Sequence, residues 1–191
     1  AVCKGYLDMF DTNNKDHVEK YIPIIKQETE RALSLMSDFL NLTKLKVNLV
    51  KMDFSVVLND IYESLQMLIR SNNIDFQADT IDDEVYILGD YNRLKQVFIN
   101  IIKNSIEAIP KDRDGSVSIK LKINKNKLIV IVNDNGIGID SKLLKRIGEP
   151  FVTTKRFGTG LGVRFSKEII EAHKGDIYYN SKKGEGTKVT I

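Results

Sequence analysis

Four groups of residues in this chain have the types and spacing for chemistry. Asn100 and Asn104 stand four apart in QVFINIIKNSIEAI, so a helix places both carboxamides on one face among apolar neighbours. Buried amides are costly unless they are satisfied. Two at this spacing, with Lys103 beside them, suit a polar ligand. An Asn carbonyl is a hard oxygen suited to Mg²⁺, which binds together with waters and substrate phosphates. Asp134, Gly136 and Gly138 lie in VNDNGIGI, directly after the apolar run KLIVIV. Here an acid can accept a hydrogen bond, while glycines allow close backbone approach or positive φ. Alone, the same residues describe a tight turn. Gly158, Gly160 and Gly162 end the stretch GEPFVTTKRFGTGLGV and feed the helical pattern RFSKEIIEAH. A glycine-rich turn into a helix N-terminus offers free N–H groups and a positive dipole end to a phosphate. Neither a P-loop nor the G-x-G-x-x-G dinucleotide fingerprint is present. The fourth stretch, KGEGTKVTI, reads as a turn between two terminal strands.

These residues need elements to hold them. From His17 to Lys46 the spacing is helical, with Val18, Ile22, Ile25, Thr29, Ala32, Met36, Phe39 and Thr43 forming a heptad seam. Tyr21, Leu33, Leu35, Leu40 and Leu42 widen that stripe to the breadth of a four-helix bundle. Lys20, Lys26, Glu28, Glu30 and Arg31 fall on the solvated side. Pro23 is expected to bend or delay the helix. The first ten residues read as a second helix turned back through DTNNKD, so residues 1–46 form a helical hairpin, and two hairpins would make a four-helix dimer. After Lys46 the pattern changes. A helix is expected over Phe54–Arg70, others over Tyr91–Ile109 and Gly162–Ala172, and strands at IDFQA, VYILG, SVSIKLKI, KLIVIV, DIYYN and KVTI. The hairpin SVSIKLKINKNKLIVIV alternates apolar residues with lysines, so one sheet face is wet and the other covered. Residues 53–191 therefore read as a two-layer α/β domain.

Composition narrows the function classes. The 191 residues are 42% hydrophobic and 29% charged, with a net charge of +3, which suits one or two globular domains. The basic excess is too weak and too scattered for a nucleic-acid binder, although it suits an anionic small ligand. The single cysteine, Cys3, forms no internal disulfide and fits a reducing compartment. His17 and His173 are too isolated for a zinc site. No apolar run approaches the roughly 20 residues that cross a bilayer, so this stretch is expected to make no membrane contact. The start, AVCKGYLDMF, reads as the middle of a helix, hence as part of a longer protein.

Taken in order, N-x-x-x-N, D-x-G-x-G, GxGxG and GEGT resemble the N, G1, G2 and G3 boxes of sensor histidine kinases, and EPFVTTK resembles their F box. KNSIEAI and PFVTTK are similar to Bacillus-type sporulation kinases. The resemblance spans nearly the whole chain: 53–191 looks like the catalytic ATP-binding domain, and 1–46 like the dimerisation and phosphotransfer hairpin, truncated at its N-terminal end. It implies an α+β fold, a helical dimerisation hairpin followed by a two-layer sandwich of the GHKL (Bergerat) type. It also implies that Asp134 accepts a hydrogen bond from the adenine amino group and that Thr187 shapes the adenine pocket. Gly136 and Gly138 would let a lid approach the nucleotide, and Gly158, Thr159, Gly160, Leu161 and Gly162 would form that lid's end. Asn104 would ligate Mg²⁺, Asn100 would support the ion and its water, and Lys103 and Lys155 would touch phosphates. The implied activity is transfer of the γ-phosphoryl group of Mg-ATP to a histidine, for relay to a response regulator aspartate. The implied partners are a second copy through the hairpin, a response regulator or phosphorelay protein, and an inhibitor protein on the helical bundle. The implied setting is the cytoplasmic portion of a protein anchored in the cell membrane.

Gyrase-like, Hsp90-like and mismatch-repair ATPases share this fold, but carry a glutamate at the place of Asn100. That glutamate activates water as a general base, which an Asn cannot do, so phosphoryl transfer is favoured over hydrolysis. A serine kinase of the anti-sigma type shares the boxes but needs no hairpin, and a nucleotide-dependent scaffold is the remaining alternative. The family's phosphoacceptor box, H-E-x-x-N-P, belongs immediately before AVCKGYLDMF. Neither His17, expected at the hairpin turn, nor His173, expected as a cap or core residue, replaces it.

Overall fold

Helix formation here is set by caps as much as by apolar spacing. The computed structural model describes Gly5 and residues 14–43, 45–79, 84–155 and 158–191. Asn14 opens the first helix, its side-chain oxygen accepting from the backbone N–H of Asp16 at 3.1 Å and of His17 at 3.4 Å. That helix, α1 (Lys15–Thr43), begins well ahead of Pro23 and contains it. The expected delay at the proline is therefore absent. His17 sits in the first turn of α1, edge-on to the Tyr21 ring with centroids 5.1 Å apart. The helix expected over the first ten residues lies, Gly5 apart, outside the described residues.

Next comes β1 (Val50–Asp53), a strand the sequence pattern did not announce. Its last residue caps α2 (Phe54–Ser71), the Asp53 carboxylate accepting from Ser55 N at 2.9 Å. β2 (Ile74–Asp79) and β3 (Tyr86–Gly89) follow. Asp90 then caps α3 (Tyr91–Glu107), accepting from Arg93 N at 3.2 Å. This helix stops two residues short of the expected Ile109. The hairpin β4 (Gly115–Asn124) and β5 (Lys127–Asp134) leads into a short α4 (Ser141–Leu144), then α5 (Gly162–Ala172), β6 (Tyr178–Lys182) and β7 (Gly186–Thr190).

β1 pairs only with β3, antiparallel. The main sheet runs β2-β4-β5-β7-β6, parallel between β2 and β4 and antiparallel elsewhere. Along β4, Val117, Ile119 and Leu121 are buried while Lys120 and Lys122 are exposed, the alternation that the lysine pattern implies. α3 packs against both α2 and α5, and these helices cover the sheet with one core that includes Phe54, Ile61, Phe98, Ile102, Val132 and Ile169. Phe54 and Phe98 meet edge to face with centroids 5.4 Å apart, a favoured aromatic geometry.

His173 ties two of these helices together. As the C-cap of α5 it contacts Ile169 O through Nδ1 at 2.7 Å, and its Nε2 accepts from Asp90 N at 2.9 Å. An imidazole that accepts at Nε2 carries its proton on Nδ1, so the ring is committed at both ends. The end of α5 is thereby fixed to the start of α3, the helix that carries both asparagines.

Candidate functional site

The C-terminal half of α3, the end of β5, the loop that opens α5, and strands β6 and β7 all contribute to one cleft of about 760 Å³. Asn100, Lys103, Asn104, Asp134, Gly138, Lys155, Gly158, Thr159, Gly160, Gly162 and Thr187 all line it. Two of the expected residues do not. Gly136 lies behind Asp134, and Leu161 is buried beneath the loop at 2% exposure.

Asp134 ends the central strand β5, opposite Val117 on one side and Thr187 on the other. It is 4% exposed. Its Oδ1 accepts from Gly136 N at 2.9 Å and Thr187 N at 3.1 Å, and the Ser105 hydroxyl also donates to the carboxylate. A carboxylate offers about four acceptor positions, so capacity remains for a donor arriving from the cleft. Burial pushes the carboxyl above its ordinary range, and the three hydrogen bonds only partly oppose this.

Gly136 is buried, and its N–H anchors the acid. A Cβ there would come 2.8 Å from Ala108 O, where the strand end abuts α3. Gly138 does face the cleft, and its backbone lies so close to the β6–β7 turn that a Cβ would fall 2.1 Å from Lys182 O, at φ +65°. No L side chain fits that position.

The two asparagines form a relay. Asn100 Nδ2 donates to Ser166 Oγ at 2.9 Å, Asn104 Nδ2 to Asn100 Oδ1 at 3.3 Å, and Lys155 Nζ to Asn104 Oδ1 at 2.6 Å. These bonds offset the desolvation of both amides. The Lys155 ammonium also reaches Glu107 Oε2 at 2.5 Å, and Lys103 Nζ lies 3.8 Å from Glu107 Oε1. Asn104 Oδ1 thus already accepts one cation, so its donor chemistry fits a hard metal ion. Among the described residues no cluster of three or more His, Cys, Asp or Glu side chains could cage a metal. A metal here would rest on the carboxamide oxygen, waters and phosphates, the mode Mg²⁺ prefers.

At the start of α5, Leu161 supplies no side-chain cap, which leaves the first helical N–H groups without a side-chain acceptor of that kind. Gly162 sits against Asn100, where a Cβ would lie 2.6 Å from Oδ1. Phe151 N donates to Gly160 O at 3.1 Å, closing the base of the intervening loop.

Ser105, Ser166, Glu107 and Tyr179 escaped the sequence reading. The first two are buried hydroxyls on helices, and a buried polar residue on an apolar face is the signal that could have found them. Tyr179 enters the cleft from β6. Its hydroxyl is buried with no protein partner, and burial raises the phenol's pKa. No described helix is long and apolar enough to cross a membrane.

Residues 89–191 match the family described as histidine kinase-, DNA gyrase B-, and HSP90-like ATPase. The chain is 37% identical over 193 residues to sporulation kinase A of Bacillus subtilis (strain 168), covering 100% of this chain and 31% of that protein. It is 37% identical over 188 residues to sporulation kinase E of the same organism, covering 98% of this chain and 25% of that protein. The chain thus spans about a third of the first relative and a quarter of the second. Among solved structures, histidine kinase ThkA in complex with response regulator protein TrrA superposes with a TM-score of 0.81 and 26% identity, over 99% of this chain and 55% of that one.

Proposed function

Because the chain belongs to the histidine kinase-, DNA gyrase B- and HSP90-like ATPase family, we propose that residues 53–191 are the ATP-binding catalytic domain of a histidine protein kinase and residues 1–46 part of its dimerisation and phosphotransfer hairpin. The observation that carries this reading is Asn100. A hydrolase of this fold needs a base beside the γ-phosphate. Here the position holds a carboxamide bonded to Ser166 and Asn104, which takes no proton from water. The carboxylate beside the relay, Glu107, is engaged by Lys155 and Lys103.

In this reading Asp134 receives the adenine amino group, and Thr187 closes the base pocket, its backbone N–H holding Asp134 in place. Asn104 and Asn100 hold Mg²⁺ and its water, while Lys103, Lys155 and the N-terminus of α5 face the phosphates. The chemistry the metal supplies is neutralisation of charge on the β- and γ-phosphates. The residues of this chain supply position, which accounts for much of the rate in phosphoryl transfer. The transferred group goes to a histidine and then to an aspartate of a response regulator or phosphorelay protein. The ThkA–TrrA complex supports that relay. An inhibitor protein on the helical bundle is a further partner of the same reading.

The test is incubation with γ-labelled ATP and Mg²⁺ alongside a helical hairpin bearing the acceptor box. Acid-labile label on the hairpin's histidine is expected. Acid-stable label on serine or threonine would replace the reading with a serine kinase, phosphate release without transfer would replace it with an ATPase, and nucleotide binding with neither would leave a scaffold.

Dimerisation is proposed through α1. Ile22, Leu33 and Met36 are 48%, 61% and 62% exposed, and Ile22 and Met36 occupy equivalent heptad positions. Apolar side chains in register along one helix call for a partner helix. Ile22→Glu together with Met36→Glu should convert a dimer to a monomer, read by light scattering with Mg-ATP affinity unchanged. A dimer that survives both charges would place the interface elsewhere.

A further inference from the structure

Lys155 and Asn104 are far apart in sequence, yet one hydrogen bond of 2.6 Å joins them. The Lys155 ammonium lies between Asn104 Oδ1 and Glu107 Oε2, the second contact at 2.5 Å. Glu107 stands one helical turn beyond Asn104 on α3, so both oxygens face the same side. The loop that bears Lys155 is closed behind it by the Phe151 N–Gly160 O bond, which sets the lysine back over α3.

We propose that Glu107 is a positioning residue that parks Lys155 on the cation seat of Asn104, so that nucleotide-borne Mg²⁺ must displace the ammonium before it can reach that oxygen. The inference rests on the kinase reading of the cleft. Its physical basis is occupancy. Mg²⁺ sits about 2.0–2.1 Å from an oxygen ligand. An ammonium hydrogen-bonded to the same oxygen would bring two positive charges into close repulsion. The two cations therefore exclude one another, and Glu107 favours the resident one. Once displaced, Lys155 is free to meet the phosphates that accompany the metal. It thus has two stations, and Glu107 defines the nucleotide-free one. Lys103, 3.8 Å from the other oxygen of Glu107, is steadied by the same carboxylate.

Both side chains of the Lys155–Glu107 pair are more than a third exposed, at 38% and 36%, so the effect is small and its sign is the decisive quantity. Glu107→Gln should tighten Mg-ATP binding about two- to fivefold, the range expected from losing one half-exposed ion pair that opposes binding. Calorimetry at saturating Mg²⁺ reads this directly. The same substitution in a Lys155→Met background should change the affinity little, because the parked group is already gone. A second readout needs no nucleotide: amide exchange over residues 151–155 and 158–162 should quicken in Glu107→Gln, since the loop loses its anchor on α3.

Unchanged affinity in Glu107→Gln would reduce the contact to a surface ion pair. Weaker binding would make Glu107 a ligand of the metal or its water. Either result overturns the parking role. If the unmutated chain binds no Mg-ATP at all, the kinase reading itself fails, which is a different outcome from either of these.

Discussion

Asp134→Asn should erase the preference for ATP over GTP while making the folded protein more stable at neutral pH. The first half follows from hydrogen-bond polarity. The carboxylate accepts from an adenine amino group but opposes the O6 acceptor of guanine, and a mispaired buried contact costs about 1–3 kcal/mol, or roughly tenfold or more in affinity. An asparagine can keep its oxygen on the Gly136 and Thr187 amides, which Oδ1 now satisfies, and present an amide donor to the base. Calorimetric affinities for ATP and GTP should then converge or invert. An unchanged ratio would remove Asp134 from the base-reading role.

The second half follows from linkage. Burial raises the Asp134 pKa above its ordinary value, so the folded state binds that proton more tightly than the unfolded state does. Stability therefore falls as pH rises through this region and is recovered as pH drops through the folded-state pKa. A neutral side chain of equal size escapes that penalty. The stability gained by Asp134→Asn should be present at neutral pH and shrink on acidification, measured by denaturant midpoints across pH. The preference of the unmutated chain for ATP should decline over the same acidic interval, as a protonated carboxyl gains a donor.

Asn104→Ala should lower phosphoryl transfer by about 10²–10³-fold, the order seen when one preorganised group that stabilises developing charge is removed. The backbone of α3 is untouched and alanine favours helix, so circular dichroism and the unfolding midpoint should stay near those of the parent. The deletion also leaves Asn100 Oδ1 without its 3.3 Å partner and Lys155 without its 2.6 Å partner. Raising Mg²⁺ should therefore restore little. A transfer rate within a few fold of the parent would put the metal elsewhere.

The parts of the molecule legible in the sequence are those whose signal is local. The alternation of Val117, Ile119 and Leu121 with Lys120 and Lys122 marks β4, and the start of α5 falls at Gly162 as its pattern implies. β1 was missed because Val50–Asp53 carries little strand character of its own. It exists as a strand because Val50 pairs with Gly89 and Asp53 with Tyr86. Pro23 misled because a proline inside a helix removes one hydrogen bond without dictating where the helix starts. In the cleft, residue type, spacing and the order of the motifs along the chain brought Asn100, Asn104 and Asp134 forward. Ser105 and Glu107 belong to the same helix as the asparagines, but their roles depend on Asp134 and Lys155, which only the fold brings beside them. Gly136 was visible as a glycine, while its reason, the carbonyl of Ala108, was not.

The position of β7 has a consequence for how the chain is made. Synthesis runs from the N-terminus, and β7 is inserted between β5 and β6 although it is translated after both. Thr187, which donates to Asp134, follows it by 53 residues. At ribosomal speeds of about 5–20 residues per second, roughly 3–10 s separate the two. During that interval the nascent chain carries β5 with the edge that β7 will pair still open, the kind of edge that invites pairing with another chain. The pocket is thus a late product of translation. The strand that completes it also covers the open edge of β5, so a factor that guards nascent chains has work to do here between the birth of β5 and the arrival of β7.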